Sequence, residues 1–139
     1  MSPGPMVLLS TDTLPLEHDG HIVVVRQAVR QKAIELGFSL VDQTKIVTAS
    51  SELARNTIQH GGGGLALIEA VNDGTRRGLR LTFEDHGPGI EDIALAMKDG
   101  FTTAGGLGLG LSGAKRLSNE FSIASTPGEG TRVVITRWK

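Results

Sequence analysis

Three short stretches of the sequence carry residue types that bind charged ligands or move protons, and the first is SELARN at residues 51–56. The apolar residues around it recur at helical spacing, which predicts a helix from about residue 42 to residue 60. Glu52 and Asn56 are four residues apart and therefore stack on one flank of that helix. A carboxylate and an amide oxygen placed in this way can serve one hard cation and one attacking hydroxyl or water. In isolation, the same spacing more often marks a solvated polar flank.

The second stretch is EDHGPG at residues 84–89, which follows a predicted strand. Leu79, Leu81 and Phe83 share one face of that strand by alternation, and Asp85 has the same parity. The Asp85 carboxylate is then directed towards the apolar side, where an unpaired charge is costly. The exocyclic amino group of adenine would satisfy it, whereas the carbonyl group of guanine would repel it. The alternative is an aspartate that accepts hydrogen bonds from its own turn.

The third stretch is GGLGLGLSG at residues 105–113, which leads into a predicted helix. Its backbone N–H groups and the helix dipole can hold phosphate oxygens. The segment 108–113 matches the dinucleotide pattern GxGxxG, but that pattern requires a strand directly before it. The preceding residues KDGFTT are loop-like, and a P-loop GK[ST] is absent, so both of these common phosphate sites are excluded.

In this order, and with Gly130 and Thr131 opening the last predicted strand, the stretches resemble the sequence boxes of the GHKL ATPases. That superfamily contains histidine-kinase catalytic domains, Hsp90, gyrase B and MutL, and the resemblance covers nearly the whole chain. The matching positions are Glu52 and Asn56 in the N box, Asp85, Gly87 and Gly89 in the G1 box, and Gly106, Gly108 and Gly110 in the G2 box.

The resemblance implies a Bergerat fold that holds ATP between the helices under a mobile lid. It implies that Asn56 ligates Mg²⁺, that Glu52 is the general base, and that Asp85 recognises adenine. Thr131 would assist Asp85, either directly or through a water molecule, and its parity with the apolar residues of its strand directs it inward. The lid would comprise roughly residues 99–107.

Within the superfamily, the chain resembles the small serine/threonine switch kinases of the RsbT type. The stretches that carry this resemblance are SELARN, EDHGPGI at 84–90, DGFTTAGGLG at 99–108, KRL at 115–117 and EFS at 120–122. It implies phosphorylation of serine or threonine on STAS-domain scaffold proteins of a stressosome, with release from the scaffold leading to activation of a PP2C-type phosphatase.

Two other functions remain open at this point. The related anti-sigma factors bind a sigma subunit directly and phosphorylate its STAS antagonist, and the nucleotide site is common to both groups. A degenerate sensor that binds ATP without transfer is the third candidate, although such a sensor could dispense with the base Glu52.

The bulk composition excludes several classes of protein. A length of 139 residues fits a single domain, here residues 1–139, and the hydrophobic share of 39% argues against a disordered chain. The net charge of -1 gives no field to attract nucleic acid or an acidic membrane surface. With no cysteine, no long apolar span and no signal-peptide pattern, the sequence predicts a cytoplasmic protein.

The remaining periodicity predicts the elements that position these stretches. Helices are expected at 19–36, 42–60, 90–97 and 109–117, and strands at 65–71, 79–85, 121–125 and 131–138. A short strand at 7–9 and a second extended piece before Asp19 are also expected. This order predicts an α+β two-layer sandwich, with helices on one face of a mixed, mostly antiparallel sheet.

Four further residues attract attention without a clear role. His18 and His21 are three apart at a helix start, where capping is favoured over a metal site because no further ligands are evident. His60 either lies near the phosphates or interacts with the helix dipole. Arg55 could contact phosphate, a partner or only solvent.

Overall fold

The structure is a computed structural model, and it describes residues 6–98 and 110–139. The strands in this part of the chain are β1 (Val7–Leu16), β2 (Gly64–Asn72), β3 (Arg77–Asp85), β4 (Glu120–Thr126) and β5 (Gly130–Trp138). The helices are α1 (Gly20–Glu35), α2 (Leu40–Gln59), α3 (Ile93–Ala96) and α4 (Leu111–Arg116). The two long helices and the last four strands lie close to their predicted bounds, and the two short helices are shorter than predicted.

The strands form one five-stranded sheet in the order β1-β2-β3-β5-β4. All four neighbouring pairs are antiparallel, so the described sheet contains no parallel pair and is simpler than the mixed sheet that was predicted. The prediction of two separate extended pieces before Asp19 was wrong. The segment is one strand, because it pairs with β2 along its length and continues through a register shift between Leu8 and Ser10.

The hydrophobic core lies between one face of this sheet and the helices. Leu79, Leu81 and Phe83 of β3 all contribute to it, as their alternation predicts. Helices α1 and α2 contribute buried residues at helical spacing, among them Val29 and Leu53. The order and packing of these layers confirm the predicted α+β sandwich.

Helix α2 carries the SELARN stretch, and contacts hold both of its ends in place. At its start, Ser39 Oγ accepts a hydrogen bond from the backbone N–H of Asp42 at 3.1 Å. Asp42 in turn accepts a hydrogen bond from Arg137 of β5 at 2.6 Å, which ties the helix start to the sheet. At the helix end, Gly62 and Gly63 have positive φ angles of 76° and 112°, which ordinary residues rarely adopt. The chain can therefore turn sharply from α2 into β2.

Trp138 and His21 both have structural partners. Trp138 is buried at the sheet end, where it lies under the guanidinium of Arg76 and donates its indole N–H to Glu120. His21 accepts a hydrogen bond from the backbone N–H of Glu17 and stacks on His18, as expected for a role at the helix start. In residues 6–98 and 110–139, no helix has the length and apolar character needed to cross a lipid bilayer.

Candidate functional site

A cleft opens where the second half of α2 meets the end of β3, the start of β5 and the start of α4. It contains about 340 Å³ of space, part of which is open to solvent. Five of its ten lining residues are apolar and five are polar, and they are Leu53, Asn56, Thr57, His60, Phe83, Asp85, Ile90, Leu111, Thr131 and Val133. Most of the accessible wall is apolar, which suits a flat heterocycle that polar groups recognise at its edge.

Asp85 is the charged residue at the inner end of this cleft. It is only 7% exposed, and it lies on the helix-facing side of the sheet as its parity indicates. Its Oδ1 atom accepts a hydrogen bond from the backbone N–H of Gly87 at 2.9 Å, so the turn interaction considered for the sequence does form. That bond occupies only part of the accepting capacity of a carboxylate. Asp85 can therefore hold its own turn and accept a hydrogen bond from a ligand.

Close backbone contacts around Asp85 require glycine at three positions. A Cβ atom on Gly61 would lie 2.3 Å from the Asp85 carboxyl carbon, and one on Gly87 would lie 2.5 Å from the carbonyl oxygen of Gly61. Gly89 has a φ of 74°, and a Cβ there would lie 2.4 Å from the carbonyl oxygen of Thr126. The end of α2 and the loop after β3 are thus packed directly against each other. The sequence interpretation assigned no role to Gly61.

Thr131 is the second buried polar residue at this end of the cleft. It is 8% exposed and is paired directly with Asp85 across β3 and β5. On its other side it is paired with Ser125 of β4, whose Oγ atom lies 2.8 Å from Thr131 Oγ1. The sequence interpretation missed Ser125, although its parity with Phe121 and Ile123 was visible.

The flank of α2 runs from the cleft to its mouth. Asn56 and His60 line the cleft, and the Nε2 atom of His60 lies 3.3 Å from the carbonyl oxygen of Gly89. Glu52 lies one helical turn before Asn56, at the mouth, with 38% of its side chain exposed. Its Oε1 atom accepts a hydrogen bond from Arg55 at 2.9 Å. The sequence left the role of Arg55 open, and the structure places it beside Glu52.

Gly110 lies against Glu52 at the mouth of the cleft. It has a φ of 62° directly before α4, and a Cβ atom there would lie 2.6 Å from Glu52 Oε2. The two carboxylate oxygens of Glu52 therefore face different neighbours, Arg55 and Gly110. The predicted phosphate-binding residues Gly106 and Gly108, and the predicted lid at 99–107, lie outside the described residues.

The family of the chain follows from its sequence. Residues 41–139 match the family of histidine kinase-, DNA gyrase B- and HSP90-like ATPases. The chain belongs to this family. The match covers all of α2 except Leu40 and everything after it, and so it includes every residue of the cleft described above.

Relatives within the family point to signalling proteins. The chain is 53% identical to serine/threonine-protein kinase RsbT of Bacillus subtilis over 117 residues, which cover 84% of this chain and 88% of the relative. It is 34% identical to the anti-sigma F factor of Thermoanaerobacter sp. (strain X514) over 119 residues, covering 81% and 82% of the two chains. The predicted family is confirmed, and the predicted kinase class is supported.

Solved structures with the same fold include two bacterial regulators. The RsbU and RsbW domains of Rv1364c from Mycobacterium tuberculosis match with a TM-score of 0.63 at 22% identity, over 99% of this chain and 34% of that one. The SiaB-SiaC complex from Pseudomonas aeruginosa matches with a TM-score of 0.52 at 16% identity, over 95% and 91%. Both similarities confirm the fold of this ATPase family.

The residues of the cleft fit a nucleotide. They fit a metal ion that is also held by the phosphates of that nucleotide. Among residues 6–98 and 110–139, no three histidine or acidic side chains cluster closely enough to hold a metal ion. Mg²⁺ commonly binds through one or two protein ligands together with substrate phosphates. The amide oxygen of Asn56, in the cleft one turn from Glu52, is a donor of the type this arrangement needs.

Proposed function

We propose that this protein is an ATP-dependent serine/threonine kinase that phosphorylates STAS-domain regulators in a sigma-factor control switch of the stressosome type. The observation that carries the proposal is the arrangement along one cleft. A buried carboxylate, Asp85, lies at its closed end, and a half-exposed carboxylate, Glu52, lies at its mouth. The first suits recognition of a base, and the second suits chemistry with a protein that docks from outside.

At the closed end, adenine would lie in the apolar slot with its amino group donating to Asp85. The carboxylate is an acceptor only, so it favours an amino group over a carbonyl group. Thr131, which is paired with Asp85, would assist directly or through a water molecule. Gly61, Gly87 and Gly89 would act by allowing the backbone to approach the base closely.

Towards the mouth, Asn56 would hold Mg²⁺ together with the phosphates, and Gly106, Gly108 and Gly110 would hold phosphate oxygens. The metal ion would supply charge neutralisation on the transferring phosphoryl group. A backbone with glycine at these positions offers N–H groups to oxygen without side-chain interference. Gly110 already lies against Glu52, so the phosphates and the base would meet at the start of α4.

Glu52 would act as general base. Its carboxylate would accept the proton of an incoming serine or threonine hydroxyl while the hydroxyl oxygen attacks the γ-phosphorus of ATP. The bond between the γ-phosphorus and the β-γ bridging oxygen would break, and ADP would leave with that oxygen. The products are ADP and a phosphorylated serine or threonine, and the proton passes from Glu52 to solvent. With 38% of its side chain exposed, Glu52 is accessible to a hydroxyl carried on another protein. Catalysis rests mostly on positioning and charge stabilisation.

The similarity to known relatives supports the proposed partners. RsbT of Bacillus subtilis is named as a serine/threonine kinase, and its 53% identity spans most of both chains. The resemblance to that type suggests a STAS-domain scaffold as substrate and a PP2C-type phosphatase as the protein activated after release.

The deciding experiment is transfer of labelled phosphate from ATP to a STAS-domain protein, with Mg²⁺ and with an EDTA control. We expect magnesium-dependent label on serine or threonine. If ATP binds tightly and no label transfers to any STAS protein tested, kinase activity is rejected. A module that sequesters a partner, or a sensor that binds ATP without transfer, is then favoured.

Adenine recognition is tested separately with Asp85→Asn. We expect the dissociation constant for ATP to rise about 50-fold, because an amide replaces a charged acceptor of a hydrogen bond. Isothermal titration calorimetry measures this constant, and Asp12→Asn on the exposed β1 strand is the control. Equal ATP affinity in the Asp85→Asn variant and the wild type would contradict the adenine role.

A second function is an anti-sigma factor whose main task is to sequester a sigma subunit. The 34% identity to an anti-sigma F factor, over similar shares of both chains, favours this candidate. Co-purification distinguishes the two functions. Capture of an RNA polymerase sigma subunit would favour sequestration, and capture of a STAS scaffold or a PP2C-type phosphatase would favour the switch kinase.

A further inference from the structure

The most exposed large apolar side chains in the described part of the chain lie on the first turn of α2. Leu40 and Val41 are 72% and 62% exposed, whereas every other exposed large apolar side chain among the described residues stays at 54% or below. Acidic residues are the usual choice on a first turn, and apolar residues that stay in water gain nothing there on folding. Two adjacent apolar residues form a small patch, the Leu40–Val41 patch, of the kind that anchors a partner protein.

A ridge of small side chains joins the Leu40–Val41 patch to the mouth of the cleft. Thr44, Thr48 and Ser51 follow the patch at helical spacing along one side of α2. The hydroxyl groups of Thr44 and Ser51 donate to backbone carbonyl oxygens one turn earlier in the helix, at 3.0 Å each. Because these protons already have acceptors, covering the two hydroxyl groups costs little desolvation. An approaching protein can therefore lie flat along the ridge.

The length of the ridge matches the size of a protein–protein interface. Val41 and Glu52 are about 17 Å apart along the helix axis, at roughly 1.5 Å of rise per residue. A stable interface buries about 800 Å² on each partner, which corresponds to a surface about 30 Å across. An interface of this size centred on the ridge includes both the patch and Glu52. The acceptor of the phosphoryl group is the partner that must reach Glu52, so this continuity favours the acceptor as the occupant.

Helix α4 brings a further charged side chain to the same end of α2. The helix begins beside Glu52, because Gly110 lies directly before it. It ends near Asp42, since Arg137 donates to both the carbonyl oxygen of Leu117 and the carboxylate of Asp42. The two helices therefore run in opposite directions, and the last turn of α4 lies near the start of α2.

The side chains beside the Leu40–Val41 patch give it a positive border. Lys45 follows the patch by one turn on α2, and Lys115 is exposed on the last turn of α4. Asp42, the nearest acidic residue of α2, is already in an ion pair with β5. A partner with acidic side chains around an apolar centre would complement this border.

Building on the kinase function proposed above, we propose that the Leu40–Val41 patch and the ridge after it are the docking surface for the phosphoryl acceptor. The acceptor is a folded STAS-domain protein that covers the patch with apolar side chains and places acidic side chains beside Lys45 and Lys115. Its serine or threonine hydroxyl then lies at Glu52, about 17 Å along the ridge. The patch holds the acceptor and takes no part in the transfer, so it sets acceptor affinity and leaves the chemical step unchanged.

The test is steady-state transfer to the STAS-domain protein that takes up label in the experiment above. The variant is Leu40→Gln with Val41→Thr, which leaves the cap residue Ser39 in place. We expect the KM for the acceptor protein to rise about tenfold, because apolar anchors of an interface contribute this much. The kcat and the dissociation constant for ATP should not change. The matched control is Leu8→Gln with Val7→Thr on β1, where the exposures are 49% and 54%, and it should leave KM unchanged.

The charged border gives a second, independent measurement. Lys45→Gln should raise the KM for the acceptor about threefold at low salt, and it should weaken the dependence of KM on salt concentration. The physical reason is that salt screens an attraction between exposed charges, and this variant removes one of them. Arg77→Gln, at the opposite end of β3 from the cleft, is the control and should change neither quantity.

Other results would overturn the docking surface. An unchanged acceptor KM in the Leu40→Gln, Val41→Thr variant would do so and leave the kinase function standing. A lower kcat at unchanged KM would also overturn it, because the start of α2 would then act on the chemical step. Should this variant fail to fold by circular dichroism, the salt dependence of Lys45→Gln still decides. A wild type that binds ATP and transfers no phosphate would instead overturn the proposed kinase function, and the docking surface with it.

Discussion

The two ends of the cleft are built in different ways. At the closed end, Asp85 and Thr131 are buried, and glycines at 61, 87 and 89 pack backbone directly against backbone. At the mouth, Glu52 and Arg55 form an ion pair in which 38% and 40% of the respective side chains are exposed. The backbone at the closed end can shift little, because a movement at one of these close contacts would cause a clash at a neighbouring one.

Under the proposed function, this difference separates binding from chemistry. Base recognition needs a fixed set of donors and acceptors that already exists before the ligand arrives. Transfer to another protein needs a base that the acceptor hydroxyl can reach, and exposure at the mouth provides that access. Substitutions at the closed end should therefore change nucleotide affinity, whereas substitutions at the mouth should change the rate of transfer.

The largest expected effect is at the mouth. We expect Glu52→Gln to lower the rate of phosphate transfer at least about 100-fold, because removal of a general base typically costs this much. ATP affinity should stay within about twofold of the wild type, since Glu52 does not line the cleft. Transfer kinetics and calorimetry on the same preparations measure both quantities, with Glu35→Gln on the exposed side of α1 as the control. Unchanged transfer would remove Glu52 from the mechanism.

The next effect is at the closed end, where Gly61→Ala should weaken ATP binding about 20-fold. The new Cβ atom would overlap the Asp85 carboxyl group and displace the acceptor without changing its chemistry. The matched control is Gly113→Ala in α4, where a Cβ atom meets nothing within 4 Å. Calorimetry should show the loss only for Gly61→Ala. Equal affinities in the two variants would show that the closed end adjusts more easily than its packing indicates.

Arg55 offers a smaller test of the mouth. We expect Arg55→Ala to lower the transfer rate about fivefold with ATP affinity unchanged, because Glu52 loses the partner that orients one of its oxygens. Arg55→Lys should recover part of the rate. In the Glu52→Gln background, Arg55→Ala should have no further effect, since the two residues act together. Additive losses in the double variant would show that Arg55 acts independently of Glu52.

The smallest expected effect concerns the ion pair between Asp42 of α2 and Arg137 of β5. These two elements carry Glu52 at the mouth of the cleft and Thr131 at its closed end. The hydrogen bond from Arg137 holds the pKa of Asp42 below its ordinary value of 3.8. A lowered folded pKa means that this bond stabilises the fold above about pH 4 and is lost as the pH falls further. Arg137→Met should cost about 0.5–1 kcal/mol at pH 7 in urea unfolding. The cost should diminish towards pH 3, and a cost independent of pH would exclude the ion pair as its source.

The sequence predicted much of the closed end and less of the mouth. Alternation in β3 and β5 placed Asp85 and Thr131 on the core side, because side chains of a strand point to opposite faces in turn. The same rule could have placed Ser125 on the core side. Its contact with Thr131 depends on the register between β4 and β5, which the sequence does not give. The pairing of Glu52 with Arg55 was not predicted either, since helical spacing allows such a contact without requiring it.

The sequence by itself determined the order of helices and strands, the ATPase family and the residues able to bind a base or accept a proton. These depend on local periodicity and on the spacing of residue types along the chain. Only the tertiary structure decided that Gly61 must be glycine, that the Ser125 hydroxyl contacts Thr131 and that Gly110 lies against Glu52. These contacts join residues far apart in the chain, and their distances are set by strand register and helix packing.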